Sequence, residues 1–213
     1  HTHTHTMPLH STVGIWDIGT QQKHVTLGGH KKGVFQLAYH PDYHAVISAS
    51  YEHVAAVWNP YSGNLICQLK GHFNPLVGVQ TVPNSPQILT ADSGGVVKVW
   101  DIRTYTCVQT VHVEDHRGTR VSELACLVSV PAHKRIVAAG SSRLHLYDSM
   151  SSTTHHNPEV ADVVPVLKCL YNTHSDTFVT ASGTGIKVWN NKGLLDKMHR
   201  QLTTKEITAV FPA

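Results

Sequence analysis

The feature that most constrains this chain is a pattern that occurs twice between Gly29 and Asp101. Each copy opens on Gly-His, passes through short apolar runs and closes on an apolar segment ending in Trp. The first runs from Gly29-His30 to Trp58-Asn59, the second from Gly71-His72 to Trp100-Asp101. His30 to Trp58 is 28 residues, and so is His72 to Trp100. Trp16, Trp58 and Trp100 are 42 residues apart, Tyr147 follows after 47 and Trp189 after another 42. A fixed period of this size is the signature of a repeat architecture, in which each unit buries its apolar face only against its neighbours.

Within a unit the apolar runs are four to six residues long, rich in Val, Ile, Leu and aromatics, and separated by Gly, Pro, Asn and Asp. That is the strand-and-turn pattern. The spacing predicts strands over 34–39, 45–49, 54–58 and 65–69 in one unit, and over 76–82, 87–91, 96–100 and 107–111 in the next. A later unit holds 123–130, 135–139 and 143–147, with no outer strand evident and an insertion over 112–120 ahead of it. Another holds 166–171, 177–181, 185–189 and 194–198, and Glu206 to Phe211 reads as the first strand of one more. Residues 12–17 and 22–27 make only half a unit, and residues 1–11 are a low-complexity start set apart from the fold. Four strands per unit of about 42 residues make one propeller blade. The expected divisions are a half blade over 12–28, blades over 29–70, 71–113, 114–160 and 161–204, and a new blade from 205–213.

Composition agrees with this reading and narrows it. Charged residues are 15 % of the chain, which suits strands covered on both faces. A net charge of +3, with no Lys/Arg run longer than Lys31-Lys32, gives no footprint for nucleic acid. No apolar run is long enough for a membrane helix. Cys67, Cys107, Cys126 and Cys169 are far apart and read as buried, reduced thiols in strands of an intracellular protein.

The indole of a Trp buried between blades needs an acceptor for its N–H. A Ser or Thr on the next strand can supply it, a His from the loop entering the blade can bond that hydroxyl, and an acid in a turn can orient the His. At this point the residues resemble the WD-repeat family: Gly-His, about two dozen residues, then Trp-Asp. The resemblance implies an all-β WD-repeat propeller, here an incomplete arc of about five blades from a larger, commonly seven-bladed, ring. It implies a structural polar chain of His30, Ser48 and Trp58 in one blade and His72, Thr90 and Trp100 in the next, with Thr180 and Trp189 matching part of it later. The family places Asp six residues before the Trp. Here those places hold Glu52 and Gly94, Tyr147 replaces one Trp, and the expectation is that the polar chain is incomplete in most blades. The stretches HKKGVFQLAYHPDY, VWNPYSGNLICQLKGH, PQILTADSGGVVKVWDIRTYTCVQT and KEITAVF also resemble the long tandem-propeller WD-repeat proteins of motile cilia and flagella, some with an EF-hand upstream. That implies an excerpt of a longer chain, cytoplasmic or axonemal.

Other chemistry is weaker. His112, Asp115 and His116 have metal-ligand spacing, yet nothing around them reads as helix; they and His155-His156 read as solvated loop. There is no G-x-S-x-G elbow, and Gly183-Thr184-Gly185 lacks the third glycine of a dinucleotide loop. Arg117 and Arg120 read as soluble surface. No cofactor, metal, membrane, nucleic acid or small-molecule substrate is expected. The expected role is a non-catalytic protein-interaction scaffold. The alternative is a peptide-recognition module of a ubiquitin ligase or chromatin complex. Tyr43, Tyr51 and Tyr61 lie in turns and are the candidates for partner contact.

Overall fold

The structure, a computed structural model, describes residues 11–114, 120, 124–130, 135–139, 144–148, 154–155, 166–183, 185–190 and 195–200. All regular structure among them is β. Sheet one pairs β1 (Thr12–Asp17) with β2 (Gln22–Gly28). Sheet two holds β3 (Val34–His40), β4 (Ala45–Ser50), β5 (Ala55–Trp58) and β6 (Leu65–Leu69). Sheet three holds β7 (Leu76–Thr81), β8 (Gln87–Asp92), β9 (Val96–Asp101) and β10 (Thr106–His112). Sheet four holds β11 (Cys126–Val130), β12 (Arg135–Ala139), β13 (Leu144–Asp148) and β14 (Thr154–His155). Sheet five holds β15 (Val166–Asn172), β16 (Thr177–Ser182), β17 (Gly185–Asn190) and β18 (Leu195–Arg200). Every sheet is an antiparallel meander in sequence order, and β3, β7, β11 and β15 adjoin one another in turn as the inner strands. The described residues are thus one two-stranded sheet and four complete four-stranded blades of a partial propeller.

The turns repeat as faithfully as the strands. Gln21, Gly63 and Tyr105, each 42 residues after the last, all have positive φ (55°, 74° and 57°) in the turn after the Trp-bearing strand. The Asp or Asn that follows each Trp caps this turn. Asp17 Oδ1 accepts from Gly19 N at 2.8 Å, Asn59 Oδ1 from Tyr61 N at 2.9 Å, and Asp101 Oδ1 from Arg103 N at 2.8 Å. The acidic half of Trp-Asp is therefore a turn device, the side chain substituting for a backbone acceptor.

The core lies between sheets. Ala45, Ile47, Ala49 and Val57 of sheet two pack on Leu76, Val79, Ile88 and Trp100 of sheet three. Trp58 packs with Val13 and Leu27 of sheet one, and Trp189 with Cys126, Val128 and Val137 of sheet four. Each buried indole thus fills the interface with the preceding sheet. Trp16, on the first described sheet, is 62 % exposed, and its ring folds back over Gly14. Polar ties reinforce the sheet two–three contact: Gln36 Oε1 accepts from Val79 N at 3.2 Å, Thr81 Oγ1 donates to Tyr39 O at 3.0 Å, and His40 Nε2 bonds Ser85 O at 2.9 Å.

Three expectations need correction or completion. The blade with no evident outer strand has one: Thr154–His155 pairs with Tyr147 and Leu146. Two residues are too few to leave a sequence pattern. The four thiols are all free, but they are not all buried: Cys126 and Cys169 are, Cys67 is half-buried and Cys107 is exposed, because β6 and β10 are outer strands. The Cys169 thiol is pushed well up by the neighbouring Cys126 thiol and then by burial. The expected strand from Glu206 to Phe211, His116, Arg117 and His156 lie outside the described residues.

Candidate functional site: polar chains between strands and the tyrosines at the turns

Trp58 Nε1–H donates to Ser48 Oγ at 2.7 Å, and the same oxygen lies 2.6 Å from His30 Nε2. His30 Nδ1 is 2.5 Å from Glu52 Oε1. The indole can only donate, so Ser48 accepts from it. Ser48 Oγ also lies 3.4 Å from Ala56 O; when its proton goes to His30 Nε2 instead, the imidazole donates through Nδ1 to Glu52. Glu52 Oε2 also accepts from Lys31 N at 2.9 Å. Burial pushes the Glu52 carboxyl up, but the His30 and Lys31 hydrogen bonds and charges outweigh it and leave it below the ordinary carboxylate range.

The next sheet repeats the chain. Trp100 Nε1 donates to Thr90 Oγ1 at 2.8 Å, His72 Nε2 is 2.7 Å from that hydroxyl, and His72 Nδ1 is 2.8 Å from Asp92 Oδ2. Here the expected gap is corrected. The acid is absent at Gly94, but Asp92 at the end of β8 supplies it, and its other oxygen accepts from Gly94 N and Val96 N at 3.0 and 3.1 Å. Gly94 itself makes room: a Cβ there would stand 2.1 Å from Asn74 Nδ2. The signal was available in the sequence. Glu52 is the sole acid between Ser48 and Trp58, and Asp92 the sole acid between Thr90 and Trp100.

In sheet five, Trp189 Nε1 donates to Thr180 Oγ1 at 2.8 Å, and Lys187 Nζ sits 5.7 Å from the Trp189 ring centre. No acid lies between Thr180 and Trp189 in the sequence. Sheet four departs further. The hydroxyl position pairs in register with the residue two before the Trp: Ser48 with Ala56, Thr90 with Lys98, Thr180 with Lys187. In sheet four that position is Ala138, opposite His145 and fully buried. A blade without the hydroxyl has no acceptor there for an indole N–H, and its sequence carries Tyr147 in place of Trp.

The glycine of each Gly-His pair is explained by its positive φ, and at Gly29 also by the closeness of the Trp58 ring. A Cβ on Gly29 would stand 3.1 Å from Trp58 Cη2, and on Gly71 3.9 Å from Trp100 Cη2, at φ of 154° and 133°. Ser48–His30–Glu52 has the outline of a hydrolytic triad, but Ser48 is 0 % exposed and its oxygen already receives the indole. That hydroxyl has no path to a substrate. Among the described residues there is no group of three or more His, Cys, Asp or Glu placed to hold a metal. Among the described residues no helix is long and apolar enough to cross a membrane.

The tyrosines separate into two ends. Tyr51, in the β4–β5 turn, is half-buried with its ring edge-on to Phe35 at 5.8 Å. Tyr43 and Tyr61, in the β3–β4 and β5–β6 turns at the other end, are exposed. Tyr39, which the sequence pattern did not single out, joins them: its hydroxyl bonds His44 Nδ1 at 3.2 Å. A similar device closes sheet five, where Tyr171 OH donates to Asp176 Oδ1 at 2.5 Å and desolvation, then that carboxylate, pushes the phenol up to about 12.

Residues 21–59 and 63–101 match the family described as WD domain, G-beta repeat. The chain is 31 % identical over 91 % of its length to cilia- and flagella-associated protein 337 B of Tetrahymena thermophila, of which it spans 15 %. It is 22 % identical over 82 % of its length to a bromodomain and WD repeat-containing protein of Dictyostelium discoideum, spanning 6 % of that relative. It is 27 % identical over 40 % of its length to eukaryotic translation initiation factor 3 subunit I of Pyricularia oryzae, spanning 25 % of it.

Proposed function

Because this chain belongs to the WD-repeat family, we propose that its blades serve as a protein-interaction scaffold within a larger assembly, and that the assembly is that of the cilium or flagellum. The observation that carries the scaffold reading is where the polar side chains go. The residues that look catalytic are spent inside the blades on holding Trp58 and Trp100, while the turns carry exposed tyrosines such as Tyr43 and Tyr61. Rigid sheets that hold loops in a fixed array suit binding rather than turnover. The ciliary setting is supported by the relative whose name places it there, matched over 91 % of this chain. Tyr43, Tyr51 and Tyr61 are proposed to contact partner proteins.

The test is proximity labelling with the full-length protein in a ciliated cell. The reading expects axonemal or other ciliary proteins to be enriched over a control propeller. Enrichment of chromatin or ubiquitin-ligase subunits instead would favour the peptide-recognition alternative, which the bromodomain and WD repeat-containing relative supports over 82 % of this chain. Labelling of neither set would overturn the scaffold role.

A further inference from the structure

The β3–β4 and β5–β6 turns lie at one end of sheet two, because four antiparallel strands bring alternate turns together. There Tyr39 is 48 % exposed, Tyr43 41 % and Tyr61 66 %. They are not independently scattered aromatics. The Tyr39 hydroxyl bonds His44, and the His44 and Tyr61 rings are 6.3 Å apart. Tyr43 stands edge-on against buried His40 at 4.9 Å, and His40 is anchored to Ser85 O of the next sheet. The rings are therefore held in place, so a ligand that contacts them loses little side-chain entropy on their account.

The charge around these rings has a sign. In the turns 41–44, 59–64 and 102–105, Arg103 is the one Lys or Arg. Its Nε and Nη2 are both committed to Asp101, at 3.0 and 2.6 Å, and that pairing holds the Asp101 carboxyl down at about 2. Asp42, in the turn with Tyr43, is exposed and forms no ion pair among the described residues. The patch thus offers aromatic faces and hydroxyls, one uncommitted carboxylate and no uncommitted Lys or Arg.

We propose that this patch, Tyr39, Tyr43, Tyr61 and Asp42, docks a basic segment of a partner protein, with an Arg or Lys side chain laid over the tyrosine faces and paired with Asp42. The aromatic quadrupole attracts a cation, and guanidinium stacks best. An acidic or phosphorylated segment would meet Asp42 with no free cation to answer it. This rests on the scaffold reading above and specifies the chemistry of one of its surfaces.

The test is fluorescence anisotropy of the full-length protein with a labelled alternating glycine–arginine peptide, against glycine–glutamate and glycine–glutamine peptides of equal length. The arginine peptide is expected to bind best. Tyr61→Ala and Asp42→Asn are each expected to weaken it by about two- to fivefold, as an exposed cation–π or ion-pair contact would. Phe73→Ala, an exposed ring between β6 and β7 at the other end of the sheet, is expected to leave it unchanged. Unchanged thermal melting of the variants shows that folding is intact; Asp42→Lys, an exposed charge reversal, is a second variant that should abolish binding. Equal binding of the glutamate peptide, or arginine-peptide binding indifferent to Asp42→Lys and Tyr61→Ala, would overturn the proposal. If those variants retain the proximity partners of the wild type while failing this test, the patch falls and the scaffold reading stands.

Discussion

In sheet two the imidazole of His30 meets its carboxylate from the β4–β5 turn, and the Glu52 side chain is 14 % exposed. In sheet three His72 meets Asp92, which sits at the end of β8 with its side chain 1 % exposed and two backbone amides on its other oxygen. The two chains have the same order of atoms, Trp to hydroxyl to imidazole to carboxylate, yet one acid is reached from a turn and the other from a strand. What is fixed is the place the carboxylate must occupy beside the imidazole. The backbone position that delivers it is free to move by two residues, because Glu and Asp differ in reach. Sheets five and four extend the series: one keeps the Trp–Thr bond with no acid in the intervening sequence, and the other places Ala138 at the hydroxyl position.

Magnitudes explain why the series is tolerated. A buried aromatic ring removes about 150–250 Å² from water, roughly 4–6 kcal/mol at the usual area coefficient. Each hydrogen bond in the chain adds about 0.5–1.5 kcal/mol net. Packing of the ring against the preceding sheet dominates, and the polar chain fixes its orientation. Trp100→Ala should therefore cost about 3–5 kcal/mol in urea unfolding, whereas Phe73→Ala, on an exposed ring, should stay within about 0.5 kcal/mol. Comparable losses at both positions would break the link between the indole and the interface behind it.

The next effect separates sheets two and three directly. His72→Ala leaves Asp92 without its imidazole but with two amide donors, and should cost about 2–3 kcal/mol; His30→Ala should cost less, since Glu52 can turn to water. Equal costs would mean that the difference in burial carries no energy. Ser48→Ala should cost about 1–2 kcal/mol, because it leaves the Trp58 N–H without its acceptor in a buried interface.

The smallest effect is on pH. The Glu52 carboxyl lies below its ordinary value of 4.5, so its contribution to stability is present above that value and is lost as pH falls through the lowered one. The urea midpoint of Glu52→Gln should lie below wild type at neutral pH and converge on it in acid. A gap that persists unchanged to about pH 3 would contradict the assignment.

The repeat and its strands were legible because the period is written in large residues. Trp58 and Trp100 with Gly29 and Gly71 mark each blade, and the runs between them alternate with turn residues. The acid of sheet three was not, because Asp was sought at a fixed distance from Trp100 and stands instead two residues earlier, in the strand. Nor was the hydroxyl gap at Ala138, since it shows only in the register against His145. The exposure of Trp16 depends on which sheet lies behind it, a fact of tertiary order that no local pattern records. Tyr39 was passed over because a strand tyrosine reads as core until its turn partner His44 is seen.

Hydrogen exchange of the indole N–H groups of Trp58, Trp100 and Trp189, followed by nuclear magnetic resonance, tests the account most directly. Trp58, Trp100 and Trp189, each bonded to a buried hydroxyl, should exchange far more slowly than the same indoles in the urea-unfolded chain. Exchange of all three at the unfolded-chain rate would show that the recurring rings do not hold the blades together.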